Sequence, residues 1–500
     1  MTNQKPQLNR LLVLLVLVLI AGIVYGQRSQ EIPKTWDDAA IDSLELPLAV
    51  SEYSPVHARA DFYYRIPARP IYKSYPVYAP GKEPAGYLDW LKTQDPGIAF
   101  DPSRLKTSED WTRAGELAFD APIFYDTDLP IVTTDDLANP AWYSETGTPV
   151  ARDGTVPFVH YVIRKKGLIE VGQFSCGMCH TRVMVDGSVQ KGAQGNFPSE
   201  VVSAFRFWKA EGTVPLPLLN RLLYGTPWLR PDPIDQLTSG ELVAAHKAIP
   251  AGVIARQRST LFTPTQIPDL IGLKDRKFLD RTGIAQQRNI GDLMRYAALN
   301  QGADDFANYR GFVPSVALNG RELPPSAFDR YSDEQLYALA LYLYSLEPPP
   351  NPNRFDDAAI RGQQVFAREN CAKCHTPPLY TNNMLTPAVG FRVPEEHLSK
   401  YDILPDIVGT DPELTMNTRR GTGYYKVPSL KGVWYRGPFE HMGSVATLED
   451  WFDPRRLRDD YVPTGFVGYG VQTRAVKGHE FGLSLSADDK KALLAFLRTL

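Results

Sequence analysis

Apolar residues are distributed along this 500-residue chain in several distinct patterns. Leu11 to Ile20 is an unbroken run of leucine, valine and isoleucine, continued by Ala21-Gly22-Ile23-Val24-Tyr25 and preceded by Lys5 and Arg10. An apolar run of about fifteen residues is at the short end for a bilayer-spanning helix and equally fits the hydrophobic part of a secretory signal. Residues 1–26 therefore read as a signal or membrane anchor, the uncleaved anchor being preferred. Residues 27–105 lack a sustained period. They are polar and proline-rich, with tyrosines clustered at Tyr63, Tyr64, Tyr72, Tyr75 and Tyr78, and predict a stalk followed by an extension packed over the first domain.

From residue 111 helical spacing begins, and it occurs twice. Trp111 to Phe119 parallels Ala359 to Phe366: Gly115 and Phe119 in one copy, Gly362 and Phe366 in the other, fall one turn apart on a single helix face. Ile267-Pro268-Asp-Leu270-Ile-Gly272-Leu273 parallels Val427-Pro428-Ser-Leu430-Lys-Gly432-Val433. Ser332 to Leu346 parallels Ser486 to Leu500, each with a serine N-cap, an acidic first turn and apolar residues at helical spacing. Glu347-Pro348-Pro349-Pro350-Asn351-Pro352-Asn353 ends the first copy and forms a linker.

Composition narrows the chemistry. A net charge of -3 and a pI near 6.3 give no basic face for nucleic acid. Hydrophobic content of 43% supplies ample core, and 42 prolines imply many irregular connections. All four cysteines lie in two Cys-x-x-Cys-His runs, Cys176-Gly177-Met178-Cys179-His180 and Cys371-Ala372-Lys373-Cys374-His375. Such a run attaches a c-type haem: the thiols bond the porphyrin and the histidine is the proximal iron ligand. Zinc sites or redox dithiols are the alternatives, but both pairs are followed at once by histidine. Two covalent c-type haems are therefore expected, with His180 and His375 as metal ligands. The expected fold is mainly α, with two tandem cytochrome c domains at 106–347 and 354–500. About 55 residues separate Phe119 from Cys176, so the first domain carries an insertion.

The opposite face of each haem decides between electron transfer and catalysis. The second copy continues through Gly437-Pro-Phe439-Glu-His441-Met442-Gly443-Ser444, and carries His479 before its last helix. At the offset of His441 and Met442 the first copy has Arg281 and Thr282, and it has no histidine at the place matching His479. The second haem is thus expected to take His479 as its further metal ligand, with Met442 as second choice, and the first to be open or weakly filled. His441 also fits a hydrogen-bonding role. His160 and His246 are further candidates at the first haem, whereas Met184 and Met294 read as core and His57 and His397 as solvated loop residues. Gln286, Gln287 and Arg288 are candidate catalytic residues for peroxide cleavage, which needs a base and a polar stabiliser; a solvated polar turn is the competing reading.

Residues 106–500 resemble the bacterial di-haem cytochrome c peroxidases and their relatives. The resemblance rests on the two Cys-x-x-Cys-His runs and on Val427-Pro428-Ser-Leu430 through His441-Met442-Gly443-Ser444 to Leu448-Glu449-Asp450. It implies one haem as reaction centre and the other as electron relay, with Trp434 or Trp451 assisting transfer unless they are core. The chain departs from the family at Arg455, where a methionine ligand is usual, and lacks its distal glutamine and glutamate pattern. The 195-residue spacing from Cys176 to Cys371 and the Gly478-His479-Glu480-Phe481-Gly482 run are more similar to the rubber-oxygenase branch. There the second haem is bis-histidine and the first binds dioxygen. The resulting expectation is a periplasmic redox enzyme held at the inner membrane, with a small redox protein as electron partner. Peroxide or dioxygen would react at the first haem. A tethered electron carrier and an oxygenase of an apolar substrate are the alternatives.

Overall fold

The computed structural model describes residues 32–207, 226, 228–229, 236–255 and 260–500. The segment 1–26 lies outside them, and among the described residues no helix is long and apolar enough to cross a membrane. Residues 35–500 form one compact unit.

The architecture is mixed α and β, a correction to the mainly α expectation. Strands β1 (Ser74–Tyr78), β2 (Phe124–Tyr125), β3 (Thr155–Lys165) and β4 (Leu168–Gln173) form an antiparallel sheet in the order β1-β3-β4-β2. The strand β3 is part of the insertion preceding Cys176. Its Val156, Phe158, Val159, Val162 and Ile163 are all buried, and β-branched and aromatic residues fit a pleated surface. A strand covered on both faces shows no alternation, so its apolar run does not distinguish it from a buried helix. The sheet packs with Trp142, Phe197 and Met178 into one apolar cluster. Because Met178 belongs to the first Cys-x-x-Cys-His run, this core supports the site directly.

Among the helices of the described residues, those that position the site are α1 (Ser108–Asp120), α2 (Cys176–Cys179), α3 (Ser199–Phe207), α4 (Ser239–Lys247), α5 (Ile290–Asn300), α6 (Asp333–Ser345), α7 (Asp357–Arg368) and α8 (Ala487–Arg498). Caps fix where the repeated helices start. Thr107 with Asp110 and Ser332 with Gln335 form capping boxes for α1 and α6, while Ser486 accepts from the Asp489 amide at the start of α8. Helix α1 crosses α6, and α7 crosses α8. The crossings are equivalent in detail. Gly115 lies against the Ala338 carbonyl and Gly362 against the Ala492 carbonyl. Phe119 meets Tyr342 at 5.3 Å between ring centres, and Phe366 meets Phe496 at 5.4 Å.

The extension is ordered by its aromatics. Trp36 stacks on Tyr63 at 4.3 Å and its indole donates to the Ala58 carbonyl. Backbone bonds tie this segment to both copies: Arg69 donates to the Arg330 carbonyl, Leu46 to Ile284 and Ala49 to Gly421. It therefore reaches beyond the first copy, the only one it was expected to cover.

Adding a methyl at either crossing forces the helices apart, because the obstacle is a backbone carbonyl. Gly115→Ala and Gly362→Ala are each expected to destabilise the protein by about 1–3 kcal/mol or more, read as a lowered denaturant midpoint. An Ala at the exposed Gly240, where nothing stands within 4 Å, should show no such loss.

Candidate functional site

Both histidine runs sit on short helical turns whose geometry points the imidazole inward. In the first, Ser175 Oγ accepts from the Met178 amide and caps α2, and the His180 amide closes the turn on the Cys176 carbonyl at 2.9 Å. In the second, Cys371–Lys373 is a 3-10 turn, and the His375 amide bonds the Cys371 carbonyl at 2.9 Å. His180 Nδ1 lies 3.0 Å from the Pro268 carbonyl; His375 Nδ1 lies 3.2 Å from each of the Pro428 and Tyr380 carbonyls. A carbonyl only accepts, so Nδ1 carries the proton in both rings and Nε2 keeps its lone pair for a metal. The prolines are equivalent positions of the internal repeat. The two loops that carry them are also joined, through the buried Tyr435 hydroxyl donating to Asp269 Oδ2 at 2.8 Å.

His479 faces His375. Their ring centres are 6.2 Å apart, with ring planes 56° from parallel. Two imidazoles that each hold one shared metal ion at about 2 Å have ring centres roughly 6 Å apart, so this pair fits a haem iron between them. His479 Nδ1 is buried without a hydrogen-bond partner. Burial, followed by the charges of His375 and Arg456, pushes His479 down to about 3, and burial pushes His375 down to about 4. Both are thus held as neutral imidazole, the form that binds metal.

The His479 loop is built around Arg456, which sequence reasoning missed. Its guanidinium is buried and donates to four carbonyls: Trp451, Val476, Gly478 and His479, at 2.6–2.9 Å. Trp451 and Phe481 flank the imidazole, each at 5.3 Å. Gly478 takes φ +84° and lies against the backbone of Gly409 and Thr410, with no room for a side chain. Nothing in Pro454-Arg455-Arg456 marks the second arginine as buried; only the fold does.

The remaining candidates fall elsewhere. Met442 is in an apolar cluster with Leu242, Val253 and Phe466. The His441 ring lies tilted against Tyr425 at 4.6 Å, with its Nδ1 beside the Glu440 carboxylate. His246 on α4 pairs with Glu200 on α3 at 2.7 Å, and His160 lies in β3 between Pro76 and Gly172. Met294 is buried on α5, and the Met184 amide bonds the Ser188 carbonyl. His57 and His397, read as solvated, are both buried, bonding Glu45 and the Tyr424 hydroxyl at 3.0 Å. Trp434 lies beside Tyr435, at 5.1 Å.

Gln286, Gln287 and Arg288 are engaged in structural bonds. Gln286 donates to the Ser43 carbonyl, and Arg288 makes a two-point ion pair with Asp292 and reaches Ser43. The Gln287 amide spans the Leu273 and Arg276 carbonyls, bracing the loop that follows Pro268. Counted back from the serine cap of the last helix, the residue of the first copy at the offset of His479 is Pro325, whose ring offers no ligand. Among the described residues, no three His, Cys, Asp or Glu side chains converge to hold a metal ion by themselves.

No family model matches the sequence, and no curated protein matches it. Among solved structures the chain is similar to hydrazine synthase of Kuenenia stuttgartiensis. Identity is 14% over 51% of this chain and 78% of that one, with a TM-score of 0.28. It is also similar to a MauG-like protein associated with microbial copper homeostasis, at 20% identity over 37% of this chain and 56% of that one, with a TM-score of 0.22. Likenesses this slight carry neither fold nor activity across. Neither protein is a rubber oxygenase, and the likeness to that branch stays with the sequence features.

Replacing His479 by alanine in the haem-loaded protein is expected to turn one low-spin signal into a high-spin one in electron paramagnetic resonance. Arg456→Leu, which leaves four carbonyls without their donor, should cost roughly 3 kcal/mol or more of stability and broaden the same low-spin signal.

Proposed function

We propose that this chain is a haem-dependent oxidoreductase with two c-type centres of unequal role. One is a closed centre on His375 and His479 that passes electrons. The other, on His180, is where a small oxidant, peroxide or dioxygen, reacts. The observation that carries this reading is the facing pair His375 and His479 at 6.2 Å, with Pro325 where the first copy would need its counterpart.

Covalently bound haem supplies one-electron chemistry and, where a coordination position is open, a place for the oxidant. The chain does the rest. Pro268 and Pro428 hold each proximal imidazole in one tautomer and orientation. Arg456 and Gly478 shape the loop that delivers His479 to the second centre. Tyr435 and Asp269 join the two proximal loops, so the centres keep a fixed separation. On this reading the chain is matured and works on the periplasmic side of the inner membrane, tethered by residues 1–26, and receives electrons from a small redox protein.

The test is low-temperature electron paramagnetic resonance of the oxidised, fully loaded protein, followed by peroxide and dioxygen assays. One low-spin and one high-spin signal are expected, with the high-spin signal alone altered by an added small ligand. Two low-spin signals, with only low-spin ferric haem left after one-electron reduction and no peroxide consumed, would instead make the protein a tethered electron carrier.

A further inference from the structure

A second repeated element lies beside the proximal histidines. Arg276 and Arg436 occupy the same position in the two copies, each the eighth residue beyond the proline whose carbonyl holds a proximal imidazole. Both fold back onto the loop after that proline. Arg276 donates to the Asp269 and Ile271 carbonyls at 2.7 and 2.8 Å, and Arg436 to the Ser429 carbonyl at 2.8 Å. From opposite copies they reach a single cavity, lined also by Arg281, Lys426 and Pro428.

This cavity is out of charge balance. Among the described residues, none of these four cations forms an ion pair. Arg281 and Lys426 meet only backbone carbonyls, at 3.4–3.5 Å. The Nε atoms of Arg276 and Arg436 are buried with no hydrogen-bond partner. Asp269 and Asp275 offset part of this charge from a distance, but Asp269 spends its hydrogen bonds on neutral donors, the Tyr435 hydroxyl and the Ile271 amide, and the cations remain in excess. Burial and the neighbouring guanidiniums push Arg281 down to about 9 and Lys426 well below its usual value. An excess of buried cations without ion-pair partners is costly, and the arrangement calls for further anionic groups.

We propose that the cavity is the common seat of the propionate carboxylates of both haems. Arg276 takes those of the haem on His180, Arg436 those of the haem on His375, and Arg281 and Lys426 lie between. This rests on the two-haem reading above. Its position suits the assignment, since Pro428 both lines the cavity and holds His375. A shared seat makes the two centres electrostatically dependent on one another. A cation beside a haem favours the reduced state, which carries one more electron, so loss of any of the four lowers both potentials.

The experiment is a potentiometric titration of the fully loaded protein, with covalent haem counted by intact mass. Arg276→Gln, Arg436→Gln and Lys426→Gln are each expected to shift both midpoint potentials downward, whereas Arg436→Lys leaves them near the parent values. Lys426 braces no proximal loop, so its variant remains informative if an arginine variant misfolds. Movement of only the nearer potential, or of neither, in protein carrying two haems overturns the shared seat. A free anion as occupant would instead show as a saturable response of the parent potentials to inorganic phosphate, lost in the variants, and that also overturns it. A parent protein with fewer than two covalent haems overturns the two-haem reading itself.

Discussion

Everything at the two centres depends on a proton being fixed on Nδ1 of each proximal imidazole. The acceptor is a proline carbonyl in both copies. Proline is well suited to this position, because its fixed φ keeps the loop extended and it has no amide hydrogen to recruit a competing partner. Since the acceptor belongs to backbone, its position is set by the loop's anchoring. That anchoring comes from Arg276 and Gln287 in one copy and Arg436 in the other. Behind each turn, a glycine lets a helix pair close to backbone contact. The helix crossing, the loop and the imidazole thus form one rigid chain of support, repeated twice.

Over this common frame the copies differ on the opposite face. In the second, a loop pinned by four hydrogen bonds from one guanidinium presents an imidazole. In the first, the residue at the same sequence offset is a proline, and the sheet built on β3 is added ahead of the Cys-x-x-Cys-His turn. A duplicated scaffold needs few changes to give two different centres, because the proximal frame does not depend on what lies across from it.

How far the fold and the site are legible in the sequence varies with the kind of signal. The Cys-x-x-Cys-His runs, the paired helices and the proline motifs are legible because each is a local pattern, and repetition separates them from chance. His479 is legible because its copy can be compared with another that lacks it. The sheet is not, since a strand buried on both faces has no alternation to betray it. Nor is Arg456, whose role comes from burial among carbonyls scattered from residue 451 to 479. His57 and His397 lack motif context, and only the fold shows them enclosed and paired. Arg276 and Arg436 stand in plain view as a repeated offset, but their significance emerges only when both are found at one cavity.

That cavity bears on how the two copies hold together. Arg276, Arg281, Lys426 and Arg436 confront one another where the two copies meet, and their mutual repulsion opposes that contact. Carboxylates seated there, as proposed above, relieve that repulsion from both sides. On that proposal the tightness of the seam reports how completely the cavity has been supplied with its anions.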